Sequence, residues 1–436
     1  MALIAKRPNG TMDVTPNEAY KWHTVENVVK ETAEQFGFKE IRIPTFEDTG
    51  LFVRGVGDTT DVVQKEMYTV SSTGDKTYTL RPEGTAGTVR AVLENGILND
   101  GLPQKLFYIL SCFRHEKAQK GRLREFHQFG CEMFGSPSPL ADAEVISLAY
   151  SVITRLGLKN TELNINSIGC PECRAKYREA LKAYFEPHRD ELCDTCKERL
   201  DKNPMRLLDC KSKEDQEIAK DAPLITEYLC DECADHFGKV KEYLGLMGIE
   251  YKINPKIVRG LDYYTRTVFE FLTTDIGSQA AVCAGGRYDG LVESLGGKPT
   301  PALGFGMGLE RIILTMESQG LDFAQDGGCE LYIAPMGDKA AAYAAGLIAK
   351  LRDMGVYAEY DLIGRSLKAQ MKYADKIGAK FVIVLGDNEI EQGKINVKKM
   401  ATGEQTAFDV DDSFPERLSD FIMASLVEEL DMEGLL

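Results

Sequence analysis

The sequence predicts an α+β chain in three parts: a core of antiparallel sheet with helices, a mostly helical cysteine-rich insertion, and a C-terminal α/β domain. Three observations carry this. The run KLFYILSCFRHEKAQKGRLREFHQFGCEMFG reads as two long strands around a loop with Gly121 at its tip, an antiparallel hairpin. Between Cys170 and about Gly245 the alternation stops, and the chain becomes rich in cysteine, lysine and acidic residues. After residue 328, strand-like and helix-like runs alternate, which predicts a small domain with a largely parallel sheet.

The elements follow in order. Thr15-Pro16-Asn17-Glu18 has capping-box spacing with proline at the first helical position. Trp22, Val25, Val29 and Phe36 then recur at helical spacing, and Gly37 ends the helix. KEIRIPTFED alternates like a strand, with Pro44 placing it at an edge or a bend. Tyr68 to Leu80 reads as a hairpin turning at Thr73-Gly74-Asp75, and RPEGT (Arg81 to Thr85) leads into another helix. TVFEFLT and QAAVCAGG restore strand character before the glycines of ALGFGMGLERI. Further on, CELYIAPMG, VYAEYDL and KFVIVLG read as buried strands separated by helices over Lys339–Met354 and Leu367–Ile377. The predicted division is 1–168 with 246–322 for the core, 169–245 for the insertion and 328–436 for the C-terminal domain.

Composition narrows the classes. With 43% hydrophobic and 28% charged residues, the chain has the make-up of a folded globular protein. No apolar run approaches the roughly 20 residues of a membrane span, and MALIAKRPNG lacks the apolar core of a signal peptide. A cytoplasmic protein with no membrane partner is expected. A net charge of -16 argues against coating nucleic acid by bulk attraction, but leaves room for local basic patches. Arg114, Lys117, Lys120, Arg122 and Arg124 form one such patch.

Arg114 falls at a strand end and Arg311 near the start of a helix after GFGMG. Arginine's planar fork suits phosphate, and a helix N-terminus adds a favourable dipole; surface ion pairing is the alternative. Gly304, Gly306 and Gly308 do not match G-x-G-x-x-G, which argues against a dinucleotide site. RGLDYYTRTVFE sets Arg259, Asp262, Tyr263, Tyr264 and Arg266 beside an apolar strand. That is either a polar pocket for a small zwitterion or an exposed strand end. Seven of the eleven cysteines lie between Cys170 and Cys233. Cys170-x-x-Cys173 and Cys193-x-x-Cys196 have the spacing of a four-cysteine structural Zn²⁺ site. Cys210, Cys230 and Cys233, with His236 near, are left for part of a second site, and plain reduced cysteines are the alternative.

RPEGT, FRHEKAQKGRLREFHQFGCE, RGLDYYTRTVFE, AGGRYDGL and GFGMGLER, in this order, resemble the signature segments of bacterial-type histidyl-tRNA synthetases, which are class II aminoacyl-tRNA synthetases. The hairpin resembles motif 2, GMGLER motif 3, and the first helix with IRIPTFED the dimer-forming motif 1. The C-terminal part resembles the anticodon-binding domain of these enzymes. The resemblance covers nearly the whole chain. It implies a cytoplasmic homodimer that activates L-histidine with ATP and Mg²⁺ and then charges tRNA(His).

It also implies roles. Arg114 holds the α-phosphate and Arg311 the γ-phosphate, Glu116 and Arg122 border the nucleotide, and Phe126 stacks on adenine. Arg259 lies beside the amino-acid carboxylate and the α-phosphate, completing a catalytic set with Arg114 and Arg311. Glu83, Gly84, Thr85 and Gln128 surround the substrate ammonium. Glu132 and Tyr264 meet the two imidazole nitrogens, and Tyr263 completes the wall. Lys117 and Gln119 in the hairpin loop face the tRNA acceptor end. Relatives carry arginine at the first of these positions; lysine keeps the charge but loses the fork, so Gln119 is the better base reader. Arg365, Lys368, Lys372 and Lys376 recur at helical spacing, as an RNA-backbone footprint or a solvated face. A regulatory paralogue without aminoacylation is expected to lack parts of the catalytic set and the C-terminal domain, which this chain carries.

Overall fold

A proline that lacks an N–H is best placed where a helix needs none, and helix Pro16–Gln35 begins there, with Gly37 at φ 78° just past its end. The Thr15 hydroxyl bonds to the Glu18 carboxylate at 3.1 Å rather than to a backbone amide, so the two residues pair side chain to side chain in place of the expected capping box. The computed structural model describes residues 4–57, 60–71, 76–210, 212–257, 261–277, 281–324 and 328–432. The chain forms two compact units, Met1–Ala324 and Gln325–Leu436.

The first unit contains strands β1 (Lys39–Glu40), β2 (Phe46–Asp48), β3 (Tyr68–Ser71), β4 (Thr77–Leu80), β5 (Gln104–Phe113) and β6 (Glu125–Phe134). It continues with β7 (Thr161–Ser167), β8 (Lys252–Ile253), β9 (Thr265–Thr273), β10 (Ala281–Arg287) and β11 (Ala302–Gly308). Among the described residues the main sheet runs β1-β5-β6-β11-β10-β9-β7-β8, antiparallel except at its two outer pairs. The predicted hairpin is β5–β6, registered from Gln104 opposite Phe134 to Phe113 opposite Glu125. KEIRIPTFED does not form one strand. The Ile43 and Pro44 carbonyls accept from the Arg81 guanidinium instead of a ladder, so the segment splits into β1 and β2 of different sheets. The hairpin of β3 and β4 forms as expected, while its turn residues Thr73, Gly74 and Asp75 lie outside the described residues.

Strand alternation assigns the two faces of the main sheet. Phe129, Cys131 and Met133 of β6 and Leu303, Phe305 and Met307 of β11 pack under helices Pro16–Gln35, Pro139–Arg155 and Leu309–Gln319. Burying each large apolar side chain there is worth about 1.5–3 kcal/mol. The opposite face meets helix Thr85–Glu94 and the insertion, whose Tyr177, Leu181 and Phe185 join Phe134, Val268 and Tyr288 in one apolar cluster. The insertion is helical as expected, over Pro171–Phe185, Asp194–Lys202, Lys213–Ile218 and Asp231–Leu246.

The second unit holds β12 (Leu331–Pro335), β13 (Ala358–Tyr360), β14 (Phe381–Leu385), β15 (Lys394–Lys399) and β16 (Gln405–Asp409), in the order β13-β12-β14-β15-β16. The first three are parallel, but β15 and β16 add antiparallel edges that their polar sequences concealed. The sheet is mixed rather than largely parallel. Helices Asp338–Asp353 and Leu367–Lys376 fall where the sequence put them.

Candidate active site

RPEGT is a tight corner fixed by its first residue. Arg81, buried, donates to the carbonyls of Ser111, Ile43 and Pro44 at 2.6 to 2.9 Å, which anchors the loop to β5 and to the β1–β2 connection. Glu83 then accepts from the amides of Thr85 and Ala86 at 2.7 and 2.8 Å, so its carboxylate sits on the N-terminus of helix Thr85–Glu94. Burial pushes the Glu83 carboxyl up, and those amides and Arg114 only partly offset this. The Gly84 amide donates to Gln128 Oε1 at 3.1 Å, joining the corner to β6.

Missing side chains shape this face of the sheet. Gly304 lies opposite Glu132, and Gly308 opposite Gln128. A Cβ on Gly304 would sit 1.9 Å from Glu132 Oε2, and one on Gly306 would sit 2.1 Å from Gln128 Nε2. The glycines of GFGMG therefore make room for the polar side chains of the neighbouring strand.

Glu132 is 1% exposed and does not line the cavity. Its Oε1 accepts from the hydroxyls of Thr85 (2.7 Å) and Tyr108 (3.0 Å), and its Oε2 accepts from Tyr288. Burial pushes its carboxyl up to about 8, although the three hydroxyls favour the ionised form. Tyr108 and Tyr288 did not emerge from the sequence reading. Tyr288 ends the quoted AGGRY, and Tyr108 looked like one apolar strand residue among several. The Tyr263 ring centre lies 4.7 Å from that of Tyr264, in a tilted pair, and 5.5 Å from that of Tyr288, in an edge-on pair.

The cationic side is built by the hairpin loop. Arg114 Nε donates to the Pro82 carbonyl at 2.9 Å, and its guanidinium lies 5.3 Å from the centre of the Phe126 ring. Arg122 Nε is 3.0 Å from Glu116 Oε2 but too poorly aligned for a hydrogen bond. Burial raises the Glu116 carboxyl. Arg311 donates to the Gly121 carbonyl at 2.9 Å and to the Ala281 carbonyl at 2.6 Å, tying the loop tip to β10. Burial, with Arg122 beside it, pulls Arg311 below its usual range. Glu310, unassigned by the sequence, accepts from the amide and the Nδ1 of His127. Burial lowers the His127 ring, but the bond to Glu310 outweighs it and the net shift is upward.

Glu83, Thr85, Arg114, Glu116, Arg122, Phe126, Gln128, Tyr263, Tyr264 and Arg311 all line one cavity of about 240 Å³. Lys117 and Gln119 are exposed on the loop above it, where Gln119 and Arg122 exchange backbone hydrogen bonds. Arg259 lies outside the described residues. In the C-terminal unit, Lys368, Lys372 and Lys376 are exposed on one helix. Arg365 is occupied, 2.6 Å from Asp361 and 4.3 Å over the Tyr373 ring.

The cysteines group differently from the expected set. Cys170 and Cys173 meet Cys230 and Cys233, while Cys193 and Cys196 meet Cys210 and Asp215. Cys170 and Cys230 cap helices Pro171–Phe185 and Asp231–Leu246, which start where the insertion leaves and rejoins the core. Cys193 caps Asp194–Lys202, beyond a 15-residue helix. At 1.5 Å per residue that helix is about 22 Å long. His236 joins neither group; it bonds to Asp142 and Arg266.

Residues 10–312 match the family model described as histidyl-tRNA synthetase, and residues 330–418 match that of the anticodon binding domain. The chain is 54% identical over 409 residues to the histidine–tRNA ligase of Acetivibrio thermocellus, covering 94% of this chain and 98% of that one. It is also 54% identical over 412 residues to the enzyme of Clostridium perfringens strain SM101, with the same shares covered. It superposes on the crystal structure of apo S. aureus histidyl-tRNA synthetase with a TM-score of 0.81 at 39% identity, covering 95% of this chain and all of that one. Among the described residues no helix is long and apolar enough to cross a membrane.

Proposed function

The chain belongs to the histidyl-tRNA synthetase family and is an ATP-dependent histidine–tRNA ligase, and from that premise we propose how its side chains divide the work. It activates L-histidine to histidyl-adenylate with release of pyrophosphate, then transfers histidine to the 3′-terminal ribose of tRNA(His). One observation carries the division: a single cavity gathers the cations of Arg114 and Arg311 with the acceptors of Glu83 and Gln128 and the rings of Tyr263 and Tyr264.

Attack of the histidine carboxylate on the α-phosphorus builds negative charge. Arg114 on the α-phosphate and Arg311 on the γ-phosphate, each held by carbonyls, meet that charge without reorganising. Arg259 adds a permanent cation between the two reacting anions. ATP arrives as its Mg²⁺ complex, which neutralises the leaving pyrophosphate. Glu116 and Glu310 are the carboxylates lining the cavity beside the arginines. Phe126 is the platform for adenine, with Arg122 at its border.

Glu83, Thr85 and Gln128, with the Gly84 main chain, receive the substrate ammonium. A carboxylate has about four acceptor sites. Three on Glu132 are taken by hydroxyls, one of them from the lining residue Thr85, so a histidine ring seated past Thr85 finds one site left for its imidazole N–H, while Tyr264 donates to the other nitrogen. A site that pairs both ring nitrogens rejects amino acids lacking them. With its carboxyl at about 8, Glu132 holds a proton below that pH and is the better acceptor above it. The KM for histidine is therefore expected to fall as pH rises through about 8, and Glu132→Gln to flatten that dependence. An unchanged profile in the variant would remove Glu132 from imidazole recognition.

Exposed Lys117 and Gln119 suit the tRNA acceptor end, and Lys368 and Lys372, with Arg365 braced beside them, suit the RNA backbone. A cytoplasmic homodimer completes the picture. Supporting it, Phe46 and Val70 are exposed on the small sheet, one packed on the Tyr78 ring and the other paired with Tyr78. The insertion takes a structural Zn²⁺ on Cys170, Cys173, Cys230 and Cys233. The Cys170 sulfur is 3.5 Å from that of Cys173 and 4.0 Å from that of Cys230, close to the roughly 3.8 Å edge of a zinc–thiolate tetrahedron.

The test of the division is ATP–pyrophosphate exchange with each of the twenty amino acids, using protein free of tRNA. Exchange with histidine alone is expected, and Arg259→Ala is expected to lose it. Exchange with a different amino acid would overturn the pocket assignment.

A further inference from the structure

We propose that the insertion holds a second metal centre, a tetrahedral Zn²⁺ site made by the thiolates of Cys193, Cys196 and Cys210 and one oxygen of Asp215. It shares only the choice of ion with the four-cysteine site.

The four donor atoms lie within 4.8 Å of one another. Cys193 and Cys210 sulfurs are 3.9 Å apart, against about 3.8 Å for two thiolates on one tetrahedral zinc. That is far too long for a disulfide, and all three cysteines are free. Asp215 supplies an independent observation. It is 2% exposed, yet among the described residues no lysine, arginine or histidine pairs with it. Its oxygens face the Cys193 amide at 3.1 Å and the Cys210 sulfur at 3.1 Å. A carboxylate buried against three thiols is costly unless a cation neutralises it. Three soft sulfurs and one oxygen select a borderline-soft divalent ion, and the three thiol protons leave as it binds.

The centre has a structural target. The chain between Cys196 and Cys210 carries Arg199 and Arg206, which both donate to Asp61 Oδ2 at 3.2 and 3.0 Å. It also carries Asn203, whose Nδ2 donates to Asp262 Oδ1 at 3.3 Å. Asp262 immediately precedes the two tyrosines of the amino-acid pocket. The ion thus pins a loop that braces Tyr263 and Tyr264 from behind. Its loss is expected to raise the KM for histidine severalfold and leave the KM for ATP unchanged.

The full-length protein is stripped with a chelator, reconstituted with Zn²⁺ alone, dialysed against metal-free buffer and analysed for bound zinc by mass spectrometry. Two equivalents per chain are expected, falling to one in Cys196→Ser/Cys210→Ser. Asp215→Cys is expected to keep both, because it restores a fourth ligand; a merely structural aspartate would not be replaced in this way. If the wild type holds one equivalent, lost in Cys173→Ser/Cys233→Ser and kept in Cys196→Ser/Cys210→Ser, the second centre is overturned and the four-cysteine site stands. One equivalent with the reverse behaviour supports the second centre and removes the first. No bound zinc in the wild type overturns both. Should the serine variants misfold, cobalt(II) in the wild type and in Asp215→Cys decides. A visible band that moves to lower energy when oxygen is exchanged for sulfur supports the site, and identical spectra overturn it.

Discussion

Replacing Arg114 with alanine is expected to lower kcat of histidine-dependent ATP–pyrophosphate exchange by roughly 10²–10³-fold, the usual loss for one donor aimed at developing charge. Among the described residues Arg114 makes a single side-chain hydrogen bond, to Pro82, and stands over Phe126, so the fold has little need of it. Thermal unfolding of the variant should therefore match the wild type while turnover collapses. Arg114→Lys keeps the charge and loses the fork, and should recover only part of the rate. The same change at Arg311 is a less clean experiment, because it also releases the Gly121 and Ala281 carbonyls and frees the hairpin loop. A loss of less than about threefold for Arg114→Ala, an energy well under 1 kcal/mol, would show that Arg114 does not face the reacting phosphate.

The largest expected loss of stability lies away from the cavity. Arg287, fully buried, is paired with Asp142, whose other oxygen is 3.2 Å from His236 Nε2. The guanidinium also donates to Asp289 and to the Ser136 and Ser138 carbonyls. Asp142→Ala leaves that buried cation with only the partly exposed Asp289 as counter-charge and is expected to cost about 3–5 kcal/mol, read from the urea midpoint of the catalytic unit. Asp142→Leu combined with Arg287→Met removes both charges and should cost less than the single change. A single variant within about 1 kcal/mol of the wild type would contradict this account. The pH sign follows. Burial alone would raise the Asp142 carboxyl, but Arg287 and His236 hold it below its ordinary value. Its contribution to stability is therefore present above the usual carboxylate range near 4 and is lost as pH falls through the lowered value. Asp142→Asn should remove that part of the acid sensitivity.

Local chemistry was legible in the sequence where it was local. The β5–β6 hairpin is written in alternation and one loop glycine, and of its five cations Arg114 and Arg122 line the cavity. Depth was not legible. Glu132 stood out as an acceptor, but the three hydroxyls that enclose it did not, because only the folded sheet brings Tyr108, Thr85 and Tyr288 together. The glycines of GFGMG carried no clue to the side chains they accommodate, because those belong to the next strand. Cysteine spacing suggested ligands, but a rigid helix between Cys173 and Cys193 sent the pairs to different partners. In the C-terminal unit, KINVKK and QTAFD were too polar to stand out as strands, since each sits at or near a sheet edge.

Phe126, Gln128, Gly130 and Glu132 alternate along β6 on the face that bears the cavity, so the nucleotide platform and the amino-acid contacts are spaced along one strand over about 20 Å. Point substitutions on such a strand act separately: one blunts adenine stacking, another loosens the ammonium, a third confuses the side chain. A deletion or insertion of a single residue is of another order. It would turn every one of these groups into the hydrophobic layer and bring Phe129, Cys131 and Met133 out in their place. A substitution on β6 therefore alters one contact at a time, whereas a change in the length of the strand alters all of them together.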